Sequence, residues 1–272
     1  MGILNVTPDS FADGGAYLDP GRALEAARRL EAEGADLIDI GGESTRPGAA
    51  RLPVGEELDR VLPVLERVAA EVSVPISVDT YKAEVARRAL DAGAVMINDV
   101  SALSYDSDLA GVVAAAGVPV VLMHNRGRSS EMYREARYEN VVTEVRDELS
   151  TEIQRAIDAG ISRDQIVVDP GLGFAKQAPH SLSALANLPG LRLLDQPILV
   201  GPSRKSFLKS ALGEAPPDGR EWGTAAAVTA AVLLGAHIVR VHGVREMLQV
   251  VRVADEIRAS WDPEESEWVT SS

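Results

Sequence analysis

The sequence predicts a single-domain α/β protein, a (β/α)8 TIM barrel, and three observations carry that reading. Eight short apolar runs recur along the chain, at residues 3–6, 37–40, 76–78, 95–97, 118–123, 166–168, 198–200 and 238–241. Segments of helical periodicity alternate with them, the pattern of repeated βαβ units on a parallel sheet. Nearly every run ends in a polar cluster, and in a parallel barrel the C-terminal strand ends form the rim that carries the site. The length of 272 residues suits eight βα units, which need about 250.

The elements follow in order. The first run leads into Thr7-Pro8-Asp9-Ser10 and a Gly14-Gly15 pair; Asp19-Pro20 then opens a helix that Gly34 closes. The second run leads into Glu43-Ser44-Thr45-Arg46, before a helix over 56–71. The third ends at Asp79 and precedes a helix over 82–92; the fourth ends at Asn98-Asp99 and precedes one over 107–116. The fifth ends at His124-Asn125, followed by a loop with Arg126, Arg128, Arg134 and Arg137 and a helix over 139–159. The sixth ends at Asp169-Pro170-Gly171, with a short helix expected at 181–187. The seventh leads to Ser203-Arg204-Lys205, and the eighth to Arg240 and His242, with helices over 223–234 and 244–259. Gly93, Gly117, Gly160 and Gly235 stand at helix ends, where a left-handed residue is wanted. The barrel is expected over residues 1–260, with residues 261–272 as an acidic, flexible tail.

Composition narrows the function. Hydrophobic residues make up 46% and the net charge is −14, the profile of a soluble cytoplasmic enzyme. That field opposes nonspecific nucleic-acid binding, which needs a basic footprint. It also requires a local cluster of Arg and Lys for any anionic substrate. The chain has no cysteine, which removes disulfides, thiolate zinc sites and cysteine nucleophiles. Residues 222–239 carry no formal charge, but an Ala-rich helix, a Gly stop and a buried strand explain them better than a membrane span. Gly171-Leu172-Gly173 follows a strand but lacks the rest of a dinucleotide fingerprint.

Side chains alternate along a strand, so the inward faces would gather Asn5, Asp79, Asn98, Asp169, Lys205 and Arg240 at the mouth. Buried polar groups need partners. One reading is a ligand dense in donors and acceptors, such as a flat heterocycle with amino, ring N–H and carbonyl groups. In it Asp169 accepts a forked pair of N–H bonds, Lys205 donates to a carbonyl and Arg240 stacks on the ring. The other is a polar layer whose members satisfy one another. Pro202-Ser203-Arg204-Lys205-Ser206 combines hydroxyls and cations at an expected helix start, which favours anions. His242 is the histidine best placed to bind a phosphate or shuttle a proton. His180 and His237 read as structural, and His124 has no assigned role.

These residues lie in seven segments: GILNVTPDSFADGG, DIGGESTRPGA, PISVDT, INDVSAL, DPGLGFAK, GPSRKSF and GTAAAVTAAVLLGAHIVRVH. In that order and spacing, from Gly2 to His242, the chain resembles the dihydropteroate synthase family. The resemblance implies condensation of 6-hydroxymethyl-7,8-dihydropterin pyrophosphate with p-aminobenzoate to give 7,8-dihydropteroate and pyrophosphate. It implies a pterin pocket of Asp79, Asn98, Asp169, Lys205 and Arg240. It implies a pyrophosphate and Mg²⁺ site at Asn5, with Arg240 and His242 as anion ligands. For p-aminobenzoate it implies Thr45, Arg46, Pro47, Phe174, Ser203 and Lys205. Asp9 and Arg46 join the catalytic set as oppositely charged residues of two closing loops, and a homodimer is expected. Three positions depart from the family pattern: Gly243 stands where Asp is expected after the histidine, and Ala175 and Lys209 where Gly is frequent. A methyltetrahydrofolate-binding methyltransferase domain and a non-enzymatic pterin-binding paralogue are the alternatives. Neither requires the Ser-Thr-Arg-Pro loop together with Ser-Arg-Lys.

Overall fold

The computed structural model describes residues 1–7, 20–45, 48–128, 134 and 136–260. Eight parallel strands alternate with helices: β1 (Gly2–Asn5), α1 (Pro20–Ala32), β2 (Ile38–Gly41), α2 (Val54–Glu71), β3 (Ile76–Asp79), α3 (Ala83–Asp91), β4 (Met96–Asp99), α4 (Leu109–Ala116) and β5 (Val120–Met123). Then come α5 (Val141–Asp158), β6 (Ile166–Asp169), α6 (Ala178–Ala186), β7 (Leu199–Val200), α7 (Lys209–Leu212), α8 (Glu221–Leu233), β8 (Ile238–Val239) and α9 (Val244–Ala259). Strands β1 to β6 pair in chain order and β7 pairs with β8. Single bridges, Val168 to Ile198 and Gly2 to Val241, join the two sheets and close the ring. The architecture is a (β/α)8 barrel.

The strands form because β-branched runs fit a sheet buried on both faces. Their outward residues, including Ile38, Ile40, Val78, Ile97, Val120, Leu122, Ile166 and Val168, belong to the large core beneath the helices. The inward residues Met96, Val121, Val167 and Leu199 pack with Met1, Leu37 and Ile238 as a separate apolar cluster. This cluster fills the lower barrel, so a polar cavity is possible only above it, at the strand C-termini. Short, well-closed αβ turns keep that lower end tight. There Gly117 ends α4 in the left-handed region at φ 65°; at the opposite end Asn140 caps the start of α5, its side chain accepting from the Thr143 amide at 3.1 Å.

The structure departs from expectation in the last third. Strands β7 and β8 shrink to two residues each. The expected short helix begins earlier, as α6, and continues into a 3-10 helix over Leu188–Leu194. No long helix starts at residues 203–206. A 3-10 turn, Ser206–Leu208, leads only to the four-residue α7. Too few peptide dipoles align there for the helix-terminus part of the anion argument to hold; the cations themselves must supply the field. The uncharged stretch at 222–239 divides into most of α8, a turn at Gly235 and β8. Among the described residues no helix is long and apolar enough to cross a membrane. The expected tail at 261–272 lies outside the described residues.

Candidate active site

The site begins one layer below the rim. Asp39 of β2 lies in register with Ile3 of β1 and Ser77 of β3, and it is fully buried. Its carboxylate accepts from Ser77 Oγ, from Asn98 Nδ2 at 3.0 Å and from Arg240 Nε at 2.6 Å. Arg240 also donates from Nη2 to Asp79 Oδ2 at 3.0 Å. Side chains from β3, β4 and the residue after β8 thus converge on one carboxylate of β2, and Arg240 spans Asp39 and Asp79. Fork geometry and permanent charge make arginine suited to this role. Burial opposes its charge, yet Asp39 and Asp79 hold Arg240 above its usual value.

The polar residues of the mouth therefore do satisfy one another in part, and the donor end of Asn98 is committed to Asp39. Asp39 itself was not among the sequence-derived candidates. It lies inside an apolar run rather than at its end; the available signal was the alternation Leu37, Asp39, Gly41, which puts a carboxylate on the inward face.

The upper layer holds the remaining strand-borne candidates. Asn5, Gly41, Asp79 and Asn98 follow one another in register across β1 to β4. Asp79 carries a pKa raised to about 7, mainly by desolvation, with Arg240 pulling the other way. Burial likewise raises Asp169, against the pull of Lys205. Asp169 accepts from the Gly171 amide at 2.7 Å, so one oxygen braces its own loop. Gly41 keeps the space between β1 and β3 clear: a Cβ there would lie 3.6 Å from Asn5 Oδ1 and 3.7 Å from Asp79 Oδ2. An amide and a carboxylate oxygen beside one cradle suit a hard cation, which takes oxygen ligands and keeps several from substrate and water. Among the described residues no group of three or more His, Asp or Glu holds a metal by itself.

The second end of the site is built by the loops after β6 and β7. Lys205 Nζ donates to the Leu172 carbonyl at 2.5 Å and lies 4.7 Å from the centre of the Phe174 ring. Desolvation pushes its pKa down to about 8, with Asp169 opposing. Ser203 Oγ lies 2.9 Å from His242 Nδ1 and accepts from the His242 amide at 3.2 Å. This hydroxyl orients the histidine without help from position 243. A Cβ on Gly243 would meet Glu221 Oε1 at 2.5 Å, so an Asp there would require the Glu221 carboxylate to swing aside and would set two like charges together. Ala175 adopts a left-handed φ of 45°, the conformation for which glycine is the unstrained choice.

The loop after β2 is rooted by a buried charge cluster that sequence reasoning did not assign. Lys82 Nζ bonds both Glu43 and Glu57, Tyr81 donates to Glu43 at 2.9 Å, and Arg60 donates to the Gly42 carbonyl at 3.1 Å. Thr45 follows two residues later, partly buried. Asp9, Arg46 and Pro47 lie outside the described residues. The structure thus brings together Asn5, Asp79, Asn98, Asp169, Lys205, Arg240, Ser203, His242 and Phe174, and adds Asp39.

Fold and site together define an α/β-barrel enzyme whose mouth gathers buried carboxylates and an amide beside cations and a histidine. Comparison with known proteins agrees. Residues 1–242 match the family described as pterin binding enzyme. Dihydropteroate synthase of Mycobacterium leprae is 47% identical over 259 residues, 93% of this chain and 91% of that protein. The Synechocystis enzyme is 45% identical over 255 residues, 94% of this chain and 88% of its relative. A solved structure of Xanthomonas albilineans dihydropteroate synthase with 4-aminobenzoic acid superposes with a TM-score of 0.90 at 45% identity, covering 96% of this chain and 93% of that one. The chain belongs to the pterin-binding enzyme family, in its dihydropteroate synthase branch.

Proposed function

We propose that this protein joins p-aminobenzoate to 6-hydroxymethyl-7,8-dihydropterin pyrophosphate, forming 7,8-dihydropteroate and releasing pyrophosphate. The observation that carries the reading is the position of Lys205 between the buried Asp169 and the ring of Phe174. One cation there serves both a pterin carbonyl and the pocket of a second, aromatic substrate. Asp79, Asn98 and Asp169 accept from and orient the pterin, and the carboxylates favour positive charge on its ring. Arg240, gripped by Asp39 and Asp79, lies over the same region.

The reaction is a displacement at the exocyclic methylene. The C–O bond to pyrophosphate breaks as the arylamine nitrogen forms the new C–N bond, and the amine proton leaves to solvent or to the departing anion. The pterin ring delocalises charge developing on the methylene, so no protein nucleophile is required. Arg240 and His242 neutralise the leaving pyrophosphate. Asn5 would hold Mg²⁺, which when bound supplies further charge neutralisation at that anion. Thr45, Arg46 and Pro47 after β2, with Ser203, Phe174 and Lys205, receive p-aminobenzoate. Asp9 and Arg46 close over the site. A homodimer in the cytoplasm is the setting proposed for this chemistry.

Lys205→Ala tests the reading. A charge-assisted hydrogen bond contributes roughly 1.5–3 kcal/mol, so kcat/KM should fall at least about tenfold. Steady-state kinetics with product detection measures it, and near-wild-type values would overturn the assignment.

A further inference from the structure

We infer that Lys176 is a positioning residue for the second substrate: through His124 it ties the loop after β6 to strand β5 and so fixes the place of Phe174. The inference rests on the reading of Phe174 as a p-aminobenzoate contact. It begins with the polar ending of β5, which the proposed chemistry leaves unused.

Lys176 is a fully buried lysine that forms no ion pair with a carboxylate among the described residues. Its Nζ lies 2.8 Å from His124 Nδ1 and donates to the Phe174 carbonyl at 3.2 Å. Its solvent exposure is only 1%, so its desolvation is offset by these two hydrogen bonds and by the nearby charge of Asp169. His124 is also buried, and burial pushes its pKa down to about 4. The ring is thus neutral at physiological pH. It accepts from Lys176 at Nδ1 and donates from Nε2 to Glu148 of α5 at 3.0 Å. A neutral imidazole so relays between an ammonium and a carboxylate. Arg126 holds the same Glu148, stacks 4.1 Å from the Tyr138 ring, and Tyr138 donates to the Ala175 carbonyl at 3.0 Å.

The loop over residues 171–176 needs this restraint. Gly171, Gly173 and Ala175 all have positive φ, and a Cβ on Gly171 would lie 2.0 Å from the His124 carbonyl oxygen. The backbone is pressed against the end of β5 in a conformation that alternating left-handed residues do not hold by themselves. Two lysines hold it instead. Lys205 takes the Leu172 carbonyl and Lys176 the Phe174 carbonyl, so the Phe174 ring is set by groups before and behind it. The charges around Lys176 come from every neighbouring element: Asp169 on β6, Lys205 after β7, Arg126 after β5, and Glu148 on α5. Burial, helped by the two cations, lowers Lys176 to about 7, which makes its grip sensitive to pH in the neutral range.

The test is a comparison of substrate-specific constants in the Mg²⁺-loaded enzyme. Lys176→Met should raise the KM for p-aminobenzoate about tenfold, with kcat and the Kd for the pterin substrate little changed. His124→Leu should reproduce that pattern, and it carries the test alone where Lys176→Met fails to fold. His124→Gln, which keeps one acceptor and one donor, should restore near-wild-type KM. An unchanged KM for p-aminobenzoate, or parallel loss of affinity for both substrates, overturns the inference. Phe174→Ala separates the two levels. A raised KM there beside a normal Lys176→Met overturns only the role of Lys176; normal values in both overturn the reading beneath it as well.

Discussion

Asp39→Asn is the sharpest perturbation of the site, because it removes one charge while leaving shape almost unchanged. Asp39 is fully buried and accepts from Ser77, Asn98 and Arg240. The asparagine keeps a single acceptor oxygen and turns an N–H₂ toward groups that themselves donate. Breaking a buried ion pair by removing one partner costs about 3–5 kcal/mol. Asp79 still holds Arg240 Nη2, so the lower end, about 3 kcal/mol, applies. For a domain of this size that lowers Tm by about 6–12 °C. With one of its two anchors gone the guanidinium also loses its aim at the mouth, and kcat/KM for the pterin substrate should fall at least about tenfold. Differential scanning fluorimetry at pH 7.5 and initial rates read the two effects. A Tm within about 2 °C of wild type, with normal kinetics, would show that Asp39 is neither paired nor needed as described.

Two further outcomes follow. The folded-state pKa of Asp79, about 7, lies above its ordinary 3.8. Folding therefore favours the protonated form, and this group's contribution to stability declines as pH rises from about 4 to about 7. The ligand-free Asp79→Asn protein lacks that penalty. Its Tm relative to wild type should rise with pH through this window, by at most the equivalent of about 4 kcal/mol, while pterin binding is lost. A pH-independent difference between the two proteins would contradict this. Arg46→Ala should raise the KM for p-aminobenzoate at least about tenfold by removing an anion ligand; unchanged KM and turnover would remove Arg46 from the site.

The barrel was legible because its signal is repeated. Apolar runs at 3–6, 37–40 and 76–78 correspond to β1, β2 and β3 within a residue or two, and Asn5 and Asp79 fall in one register layer at the strand C-termini. Boundaries failed where periodicity is weak. The chain after β6 uses 3-10 turns at Leu188–Leu194 and Ser206–Leu208, which leave no 3.6-residue pattern. Site residues were legible when they stood at strand ends. Asp39 escaped because it sits inside a strand, one residue from a run of Ile. Lys82, Glu57, Lys176 and His124 escaped for another reason: their side-chain partners lie 24 to 52 residues away, and no local spacing reveals a buried pair formed at that distance. Gly243 departs from the family pattern in sequence; in the structure the Glu221 carboxylate crowds the place a Cβ would take.

The central claim is that this mouth couples a pterin pyrophosphate to an arylamine. The direct measurement is incubation of the purified, full-length protein with Mg²⁺, 6-hydroxymethyl-7,8-dihydropterin pyrophosphate and p-aminobenzoate, with chromatographic detection of product. The account predicts 7,8-dihydropteroate and pyrophosphate in equal amounts, with no product when p-aminobenzoate is withheld. Folded protein that binds the pterin yet releases no dihydropteroate would contradict it and leave a pterin-binding barrel without this reaction.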